Sequence, residues 1–309
     1  MILLSGNSNK PLSNSVAKVL RKKIANKEIK RFQNGELIIK GPKPLQNECI
    51  AIIQSTPSPV HKNFMELLFL LDQTRQQGAR NSVAVLPYFS YARQSSLAQT
   101  IASLLQASGA TQIITLDLHT KEIEACFDIP VQNIQPTFII EGYIRRHFNL
   151  STTALIAPDQ GAFSRVKELA KKLSLPFARL EKKRDEQGTP HITGFIGDVA
   201  KKDCVILDDM VDTARTLCNA TQALKEHGAK TISAYATHGI FSKGSHRLIK
   251  ESALESLMVT DSIEISKTTK SCPKIRQISI APLIAAAIEA SEEASFKKLY
   301  TPLSTKKLF

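Results

Sequence analysis

The chain has 309 residues, of which 42% are hydrophobic, 22% charged and 6% aromatic, a composition typical of a globular protein with one large domain or two of average size. Its 41 Lys and Arg outnumber its 28 Asp and Glu, so the formal charge is +13 and we expect anionic partners. The sequence argues against membrane insertion and secretion, because no run approaches the ~20 apolar residues that cross a bilayer and no secretion signal is recognisable.

Short apolar runs that end in polar or small residues recur along the first half of the chain, as expected of buried strands. They cover residues 2–4, 51–53, 83–86 and 113–116. Between the second and third runs, apolar residues at helical spacing predict a helix over residues 63–77. Strands therefore alternate with helices.

The second half repeats this plan. Apolar runs predict strands at residues 154–157, 204–207, 232–236 and 257–259, and helical patterns lie at residues 163–173 and 214–227. Buried strands with polar carboxyl ends are typical of an open parallel sheet, which binds ligands in the crevice beyond those ends. We predict two consecutive α/β domains, residues 1–140 and 141–309, with the boundary near residues 136–149.

One segment carries the sharpest chemical signal: residues 204–216, with the sequence CVILDDMVDTART. An apolar strand runs into paired carboxylates, then a loop with hydroxyls, then a helix whose first N–H groups and dipole favour a phosphate. Paired Asp side chains beside such a loop suit ribose hydroxyls or a hydrated Mg²⁺. The alternative is that Asp212 or Thr213 merely caps the helix, but capping explains only one residue. The candidate sugar-phosphate ligands are Asp208, Asp209, Asp212, Thr213 and Thr216.

This segment resembles the phosphoribosyl-diphosphate loop of the phosphoribosyltransferase fold, and other segments narrow the resemblance to the ribose-phosphate diphosphokinase family. The matches run in family order over nearly the whole chain: residues 4–8 (LSGNS), 31–36 (RFQNGE), 53–56 (IQST), 87–94 (PYFSYARQ), 115–119 (TLDLH), 127–131 (FDIPV), 157–161 (APDQG), 204–216 and 236–242 (ATHGIFS). The resemblance implies an α/β fold of two consecutive phosphoribosyltransferase-like domains. Each would be a largely parallel sheet flanked by helices, with the first domain on the ATP side and the second on the ribose 5-phosphate side.

The resemblance also implies roles for single residues. Those that match ATP contacts are Phe32, Asn34 and Glu36, in a loop that reaches the adenine of a neighbouring subunit, together with Arg93 and Gln94. His119 and Asp159 match the family's Mg²⁺ ligands, and oxygen and imidazole donors suit that ion. Taken by itself, His119 fits a structural histidine at a strand end better than a metal ligand; only the surrounding motif reverses that interpretation.

A basic run at residues 182–184 aligns with the catalytic flap of the family. Lys182 and Arg184 occupy the positions that approach the transferring phosphates, where Arg can bind phosphate oxygens through two N–H groups and Lys adds a mobile charge. Without the family context, such a run is more typical of a solvated loop.

Two departures from the family pattern keep a second hypothesis open. After Gln94 the family continues through a basic segment that this chain lacks, and Arg215 replaces a glycine of the ribose-phosphate loop; Ala162 in the Asp159 loop is a milder difference. The first hypothesis is an active enzyme that makes 5-phosphoribosyl 1-diphosphate and AMP from ribose 5-phosphate and Mg²⁺-bound ATP. The second is a weak or silent homologue that binds nucleotides and regulates a partner diphosphokinase. A phosphoribosyltransferase acting on a base ranks last, because it leaves the first half of the chain unexplained.

Partners and compartment complete the expectations. ATP and ribose 5-phosphate are the implied substrates, Mg²⁺ is the implied cofactor, and the family implies a homo-oligomer such as a hexamer. Five scattered cysteines without C-x-x-C spacing indicate reduced thiols in a cytoplasmic protein. The absence of Trp and the presence of only five Tyr argue against a nucleic-acid partner, although the charge would permit one.

Overall fold

The computed structural model describes residues 1–42, 44–184 and 190–293. Up to residue 134 its strands are β1 (Ile2–Ser5), β2 (Glu28–Arg31), β3 (Leu37–Lys40), β4 (Cys49–Ile53), β5 (Asn81–Leu86), β6 (Gln112–Leu116) and β7 (Val131–Ile134). The helices of this stretch are α1 (Lys10–Val19), α2 (Val60–Gln76) and α3 (Ser95–Ala107), followed by a short 3-10 helix over Lys121–Cys126.

The rest of the chain continues the alternation. Its strands are β8 (Thr153–Ala157), β9 (Phe177–Arg184), β10 (Pro190–Ile196), β11 (Asp203–Val211), β12 (Thr231–Gly239), β13 (Ser256–Thr260) and β14 (Ile275–Ile278). Its helices are α4 (Thr137–His147), α5 (Gln160–Leu173), α6 (Arg215–Glu226), α7 (Ser245–Glu251), α8 (Lys267–Lys270) and α9 (Ala281–Glu293). The predicted strands and helices are confirmed, with shifts of a few residues at their ends. No helix in the described ranges has both the length and the apolar character needed to span a membrane.

Two sheets organise these elements. The first has the strand order β1-β4-β5-β6-β7, and every neighbouring pair is parallel. The second has the order β10-β9-β8-β11-β12-β13-β14 and is parallel except for β10, which pairs antiparallel with β9. Strands β2 and β3 form a separate antiparallel hairpin. The predicted α/β fold with largely parallel, helix-flanked sheets is therefore confirmed.

Both sheets share one connectivity. From β1 the chain passes through α1 to Ile24, which bridges Leu3 on one edge of β1, and later returns to pair β4 with the other edge. From β8 it passes through α5 to β9 on one edge and later returns to β11 on the other. Such a reversal opens a crevice beyond the carboxyl ends of the two central strands. The architectural likeness of the two halves thus extends to their strand order.

The chain forms two compact units. The first comprises residues 1–134 and 262–264 together with the described residues from 279 onward, and the second comprises residues 135–261 and 265–278. The predicted domains, residues 1–140 and 141–309, do not follow these units, because α9 packs against α1, β6 and β7 of the first unit. Helix α9 buries Leu283, Ile284 and Ile288, and Lys22 beyond α1 pairs with Glu292 at 2.8 Å. In the sequence, α9 directly follows β14, which belongs to the second unit. A sequence pattern therefore gives no sign that α9 packs on the first unit.

We expect the packing of α9 to stabilise the first unit. Ile284 has no exposed surface, so Ile284→Ala should lower the free energy of unfolding of that unit by about 2–5 kcal/mol. Hydrogen exchange resolved by mass spectrometry should then show faster exchange in β6 and β7 than in β11 and β12. Glu289→Ala, an exposed change on the same helix, should stay within about 0.5 kcal/mol of wild type. Equal acceleration in both sheets would contradict the assignment of α9 to the first unit.

Candidate functional site

Three carboxylates lie at the crevice of the second unit. Asp159 follows β8, and Asp208 and Asp209 lie near the carboxyl end of β11, the neighbouring strand. The carboxyl ends of parallel strands share one sheet edge, which brings these side chains close enough to interact electrostatically. This edge is where the sequence predicted the ligand.

Asp159 also shapes the local backbone. It is the N-cap residue of α5, and its Oδ1 accepts a hydrogen bond of 3.1 Å from the N–H of Ala162. This side chain satisfies one N–H group that the helix start would otherwise leave without an intrahelical partner. A Cβ at Gly161 would lie 3.3 Å from the same Oδ1, so glycine suits this tight turn. The predicted metal ligand is therefore held in a fixed turn.

The paired Asp residues differ from the prediction in their position. They belong to β11, which continues to Val211, whereas the sequence suggested that the strand ends before them. The extension follows from pairing, since Asp208 and Met210 are in register with Ala236 and His238 of β12. A polar sequence that would end an isolated strand therefore stays in β11 because it pairs with β12.

The electrostatics of this pair are unfavourable for two ionised groups. Burial, followed by the charges of Asp209 and Asp159, raises the pKa of Asp208 well above its usual range. The N–H of Asp209 donates a hydrogen bond of 2.9 Å to Asp208 Oδ1, which partly offsets this effect. Asp209 itself is only 9% exposed. A cation or a hydroxyl donor that approaches these carboxylates would therefore reduce the cost of their burial and mutual repulsion.

The loop after β11 begins at Asp212 and leads into α6. Neither Asp212 nor Thr213 is the N-cap residue of this helix: that position belongs to Ala214, whose side chain forms no cap hydrogen bond. The capping alternative is therefore wrong. Asp212 instead accepts a hydrogen bond from the Ser242 hydroxyl, and its carbonyl accepts the Ser242 N–H at 3.1 Å.

The conformation of this loop answers the question raised by Arg215. The left-handed residue is Ala214, with φ of 64°, whereas Arg215 begins the helix and its side chain is exposed. No positive φ is required at the position of the family's glycine. Thr213 and Thr216 are also exposed at the start of α6. Their hydroxyls and the helix N–H groups suit an anion.

The predicted catalytic pair lies on a hairpin of the second sheet. Lys182 and Arg184 are in β9, where their backbones are in register with Ile192 and Pro190 of β10. The flap is thus a β-hairpin rather than an irregular loop at these positions. The side chains of both residues lie outside the described part of the structure, and their roles stay predictions.

In the first unit, the predicted ATP contacts of the loop at residues 87–94 lie directly before α3. Arg93 and Gln94 are exposed, and the helix begins at Ser95. The turn is fastened by Ser90, whose N–H donates a hydrogen bond of 2.9 Å to Thr56 Oγ1. Tyr91 has a left-handed φ of 68°, and its hydroxyl contacts His61 Nδ1 at 2.7 Å. Helix α3 therefore occupies the place where the family has its basic segment.

His119 lies in the exposed turn after β6. Asn133, on the neighbouring strand β7, fixes this turn. Its Oδ1 accepts a hydrogen bond of 3.2 Å from the N–H of Leu118, and its side-chain amide donates one of 2.8 Å to Glu124. Asp117, buried at the end of β6, has a left-handed φ of 48°. An exposed imidazole on a constrained turn fits a ligand better than a buried structural histidine.

The predicted adenine-binding residues lie on the β2–β3 hairpin. Phe32 is 53% exposed, and Asn34 and Glu36 are also exposed. Asn34 Oδ1 accepts the N–H of Glu36 at 3.1 Å, and Gly35 has φ of 95°, so the turn is built by its own residues. An exposed aromatic ring at a hairpin tip suits contact with a second molecule. His119 and these residues belong to the first unit, and the carboxylates belong to the second.

Sequence reasoning missed a group of side chains next to Asp159. A cavity of about 330 Å³ is lined by Asp159, Gln160, Arg179, Leu180 and Glu181. The available signal was alternation in β9, where Arg179 and Glu181 interrupt the buried Ala178 and Leu180. They do not lie at a strand end and they precede the basic run, so neither of those two signals includes them.

The carboxylates fit Mg²⁺ in one particular mode. Among residues 1–42, 44–184 and 190–293, no cluster of three or more His, Cys, Asp or Glu side chains has the geometry of a complete metal cage. Mg²⁺ does not need such a cage, since it keeps several waters and usually binds one or two carboxylates plus substrate phosphates. A cation at this edge of the second unit would offset the like charges around Asp208.

Comparisons with known proteins agree with this geometry. Residues 1–115 match the model of the N-terminal domain of ribose phosphate pyrophosphokinase, and residues 167–300 match the phosphoribosyl synthetase-associated domain. The ribose-phosphate pyrophosphokinase of Caulobacter vibrioides is 40% identical over 97% of this chain and 100% of its own length. That of Burkholderia pseudomallei is 38% identical over 92% of each chain.

A solved structure gives the same result at the level of the fold. Phosphoribosylpyrophosphate synthetase from Mycobacterium smegmatis superposes with a TM-score of 0.88 at 31% identity, covering 94% of this chain and 98% of that one. The fold defines an α/β protein with phosphoribosyltransferase-like domains. More narrowly, the extent of these matches shows that the chain belongs to the ribose-phosphate pyrophosphokinase family.

The charge cluster makes a prediction about stability. The folded-state pKa of Asp208 is raised above its unfolded value, so the fold loses stability as the pH rises from the unfolded to the folded pKa. Asp208→Asn should remove this loss and raise the free energy of unfolding at pH 7. Urea unfolding at a series of pH values checks this.

Asp203, at the other end of β11, is the matched control. Hydrogen bonds from Thr152 and Thr231 lower the pKa of Asp203, so its ionised form stabilises the fold above the unfolded pKa, and this contribution is lost as the pH falls. Asp203→Asn should therefore destabilise the protein at pH 7. A decrease in stability for both variants would contradict the account of Asp208.

Proposed function

We propose that the protein is a Mg²⁺-dependent ribose-phosphate diphosphokinase. The 1-hydroxyl oxygen of ribose 5-phosphate attacks the β-phosphorus of ATP, and the bond from that phosphorus to the oxygen shared with the α-phosphate breaks. AMP leaves with that oxygen, and the hydroxyl proton passes to solvent. The products are 5-phosphoribosyl 1-diphosphate and AMP, for use in nucleotide biosynthesis.

The observation that carries the proposal is the pair Asp208 and Asp209 beside the start of α6. The two carboxylates accept hydrogen bonds from the ribose hydroxyls, which relieves the cost of their burial. Asp212, with the hydroxyls of Thr213 and Thr216 and the first N–H groups of α6, holds the 5-phosphate. Positioning of the sugar in this way supplies much of the catalysis in phosphoryl transfer.

The nucleotide is assigned to the first unit. Arg93 and Gln94 bind ATP directly before α3, and Phe32, Asn34 and Glu36 of a neighbouring subunit hold the adenine. The proposal therefore includes a homo-oligomer, such as a hexamer. The exposed ring of Phe32 supports the assignment of this hairpin to the adenine, because an aromatic side chain is suited to stacking on a base.

His119 and Asp159 would hold Mg²⁺, which neutralises phosphate charge and polarises the β-phosphate when bound. Lys182 and Arg184 add positive charge for the leaving AMP and the transferred group. The formal charge of +13 favours the approach of both anionic substrates. A cytoplasmic location with reduced cysteines completes the proposal.

A second candidate is a silent homologue that binds nucleotides and regulates a partner diphosphokinase. It is favoured by one observation: α3 begins at Ser95, immediately after Gln94, so the family's basic segment has no counterpart at this point. The exposed, helical Arg215 gives it no further support. Only turnover separates the two candidates, since both require ligand binding.

The test is AMP release from ATP on addition of ribose 5-phosphate, with Mg²⁺ and inorganic phosphate present. We expect AMP to appear only when both substrates are present. His119→Ala should lower the rate by about 100-fold or more, because even the outer partners of a metal site are worth about 10–100-fold. His147→Ala, an exposed change at the end of α4, should leave the rate within twofold of wild type.

The same assay defines the opposing result. A folded wild-type protein that binds ATP and ribose 5-phosphate but releases no AMP would overturn the enzymatic proposal and favour the silent homologue. Undiminished turnover in His119→Ala would retain the activity but remove His119 from the metal site.

A further inference from the structure

Arg179 in β9 lies beside the turn that carries Asp159. Its neighbours in the strand, Ala178 and Leu180, are buried in the core, whereas the Arg179 side chain faces the cavity next to Asp159 and is 22% exposed. A partly buried guanidinium needs partners for its N–H groups. Those partners identify what it does.

The guanidinium contacts α5 at two positions. One N–H group donates a hydrogen bond to the side-chain oxygen of Gln160, the first residue of the helix. The guanidinium carbon also lies 5.1 Å from the ring centroid of Phe163, one turn further along. Arg179 therefore holds the first turn of α5 from both ends, with Ala162, which Asp159 caps, in between.

One further contact restricts the guanidinium itself, and another restricts the ring of Phe163 on which it lies. Glu181, on the same face of β9, is 3.6 Å away, and the Phe163 ring packs at 5.9 Å from that of Phe177. A planar guanidinium that lies over a ring, donates a hydrogen bond and pairs with a carboxylate has little freedom. Lysine could supply the charge at this position but not the planar group that lies over the Phe163 ring.

We propose that Arg179 is a positioning residue that fixes the Asp159 turn for binding of a divalent cation with the sugar phosphate. The proposal rests on the proposed function, because Asp159 is assigned there as a metal ligand. Arg179 acts through Gln160 and the α5 backbone, not by contact with the metal. Without Arg179, the first turn of α5 would keep the hydrogen bond to its N-cap residue Asp159 but lose the hydrogen bond that joins it to β9.

Binding of Mn²⁺ in place of Mg²⁺ tests the proposal without turnover. The free Mn²⁺ signal in electron paramagnetic resonance is titrated with wild-type protein, Arg179→Met and Arg179→Lys, each with ribose 5-phosphate present. We expect Arg179→Met to weaken Mn²⁺ binding by about tenfold, the lower end of the range for outer partners of metal sites. Lysine should recover only part of this loss, because it keeps the charge alone.

The control is Lys167→Met, which removes an exposed cation from the same helix and should leave Mn²⁺ affinity unchanged. If Arg179→Met proves unstable, Gln160→Ala tests the same link by removing the acceptor. The double variant of both should then weaken binding no more than Arg179→Met alone.

Three results would overturn the proposal. The first is a lower unfolding temperature in Arg179→Met with unchanged Mn²⁺ affinity, which means a purely structural role. The second is full recovery by lysine, which means that charge alone matters. The third is no Mn²⁺ binding by wild type, which removes the metal site. A different pair of results separates this proposal from the proposed function. If the wild type releases no AMP but Arg179→Met still weakens Mn²⁺ binding, the proposed reaction is rejected and Arg179 remains a positioning residue.

Discussion

The reversal of strand order beside the first strand of each sheet is the constraint on which the candidate site depends. Where two neighbouring parallel strands send their chains to opposite sides, their loops diverge and leave a crevice that backbone and short side chains can line. In the second unit this places the loop after β8 next to the loop after β11, although about fifty residues separate them along the chain. Asp159 and Asp208 interact because of this topology and not because of any local pattern.

The first unit has the same reversal but fills its crevice with its own side chains. Gln54 lies so close to Gly6 that a Cβ there would be 1.9 Å from its Oε1, and the same oxygen accepts the Ser8 hydroxyl at 2.8 Å. Glu66, only 1% exposed, accepts hydrogen bonds from the N–H and the side-chain amide of Asn7. A buried network with partners of this kind is rigid and costly to open. Of the ligand residues assigned to this unit, Arg93, Gln94 and His119 accordingly lie further along the sheet, after β5 and β6.

Much of this arrangement could be predicted from sequence, and the limits have physical causes. Apolar runs identify buried strands, and order-preserving motifs identify the family, because both are local. The extension of β11 through Asp209 depends on pairing with β12, and the return of α9 to the first unit depends on packing; neither leaves a local signal. The contacts of Arg179 have no local signal either, since its partners Gln160 and Phe163 are distant in sequence. Local patterns therefore identify the candidate residues, whereas the contacts that support them require the fold.

Three of the eight non-glycine residues with a left-handed backbone in the described part of the chain lie beside candidate ligands. Left-handed conformations at Tyr91, Asp117 and Ala214 each cost of order 1–3 kcal/mol in a non-glycine residue, and all three lie next to assigned ligands. Each is held by contacts outside its own turn: His61 meets the Tyr91 hydroxyl, Asn133 holds the N–H that follows Asp117, and the residues after β12 bond to the strand before Ala214. Strain that is fixed in advance need not be overcome when ligand binds. Constrained turns and like charges at the strand ends both lower the stability of the free protein. In the proposed function, the sugar phosphate and its cation bind at these positions and would restore that stability.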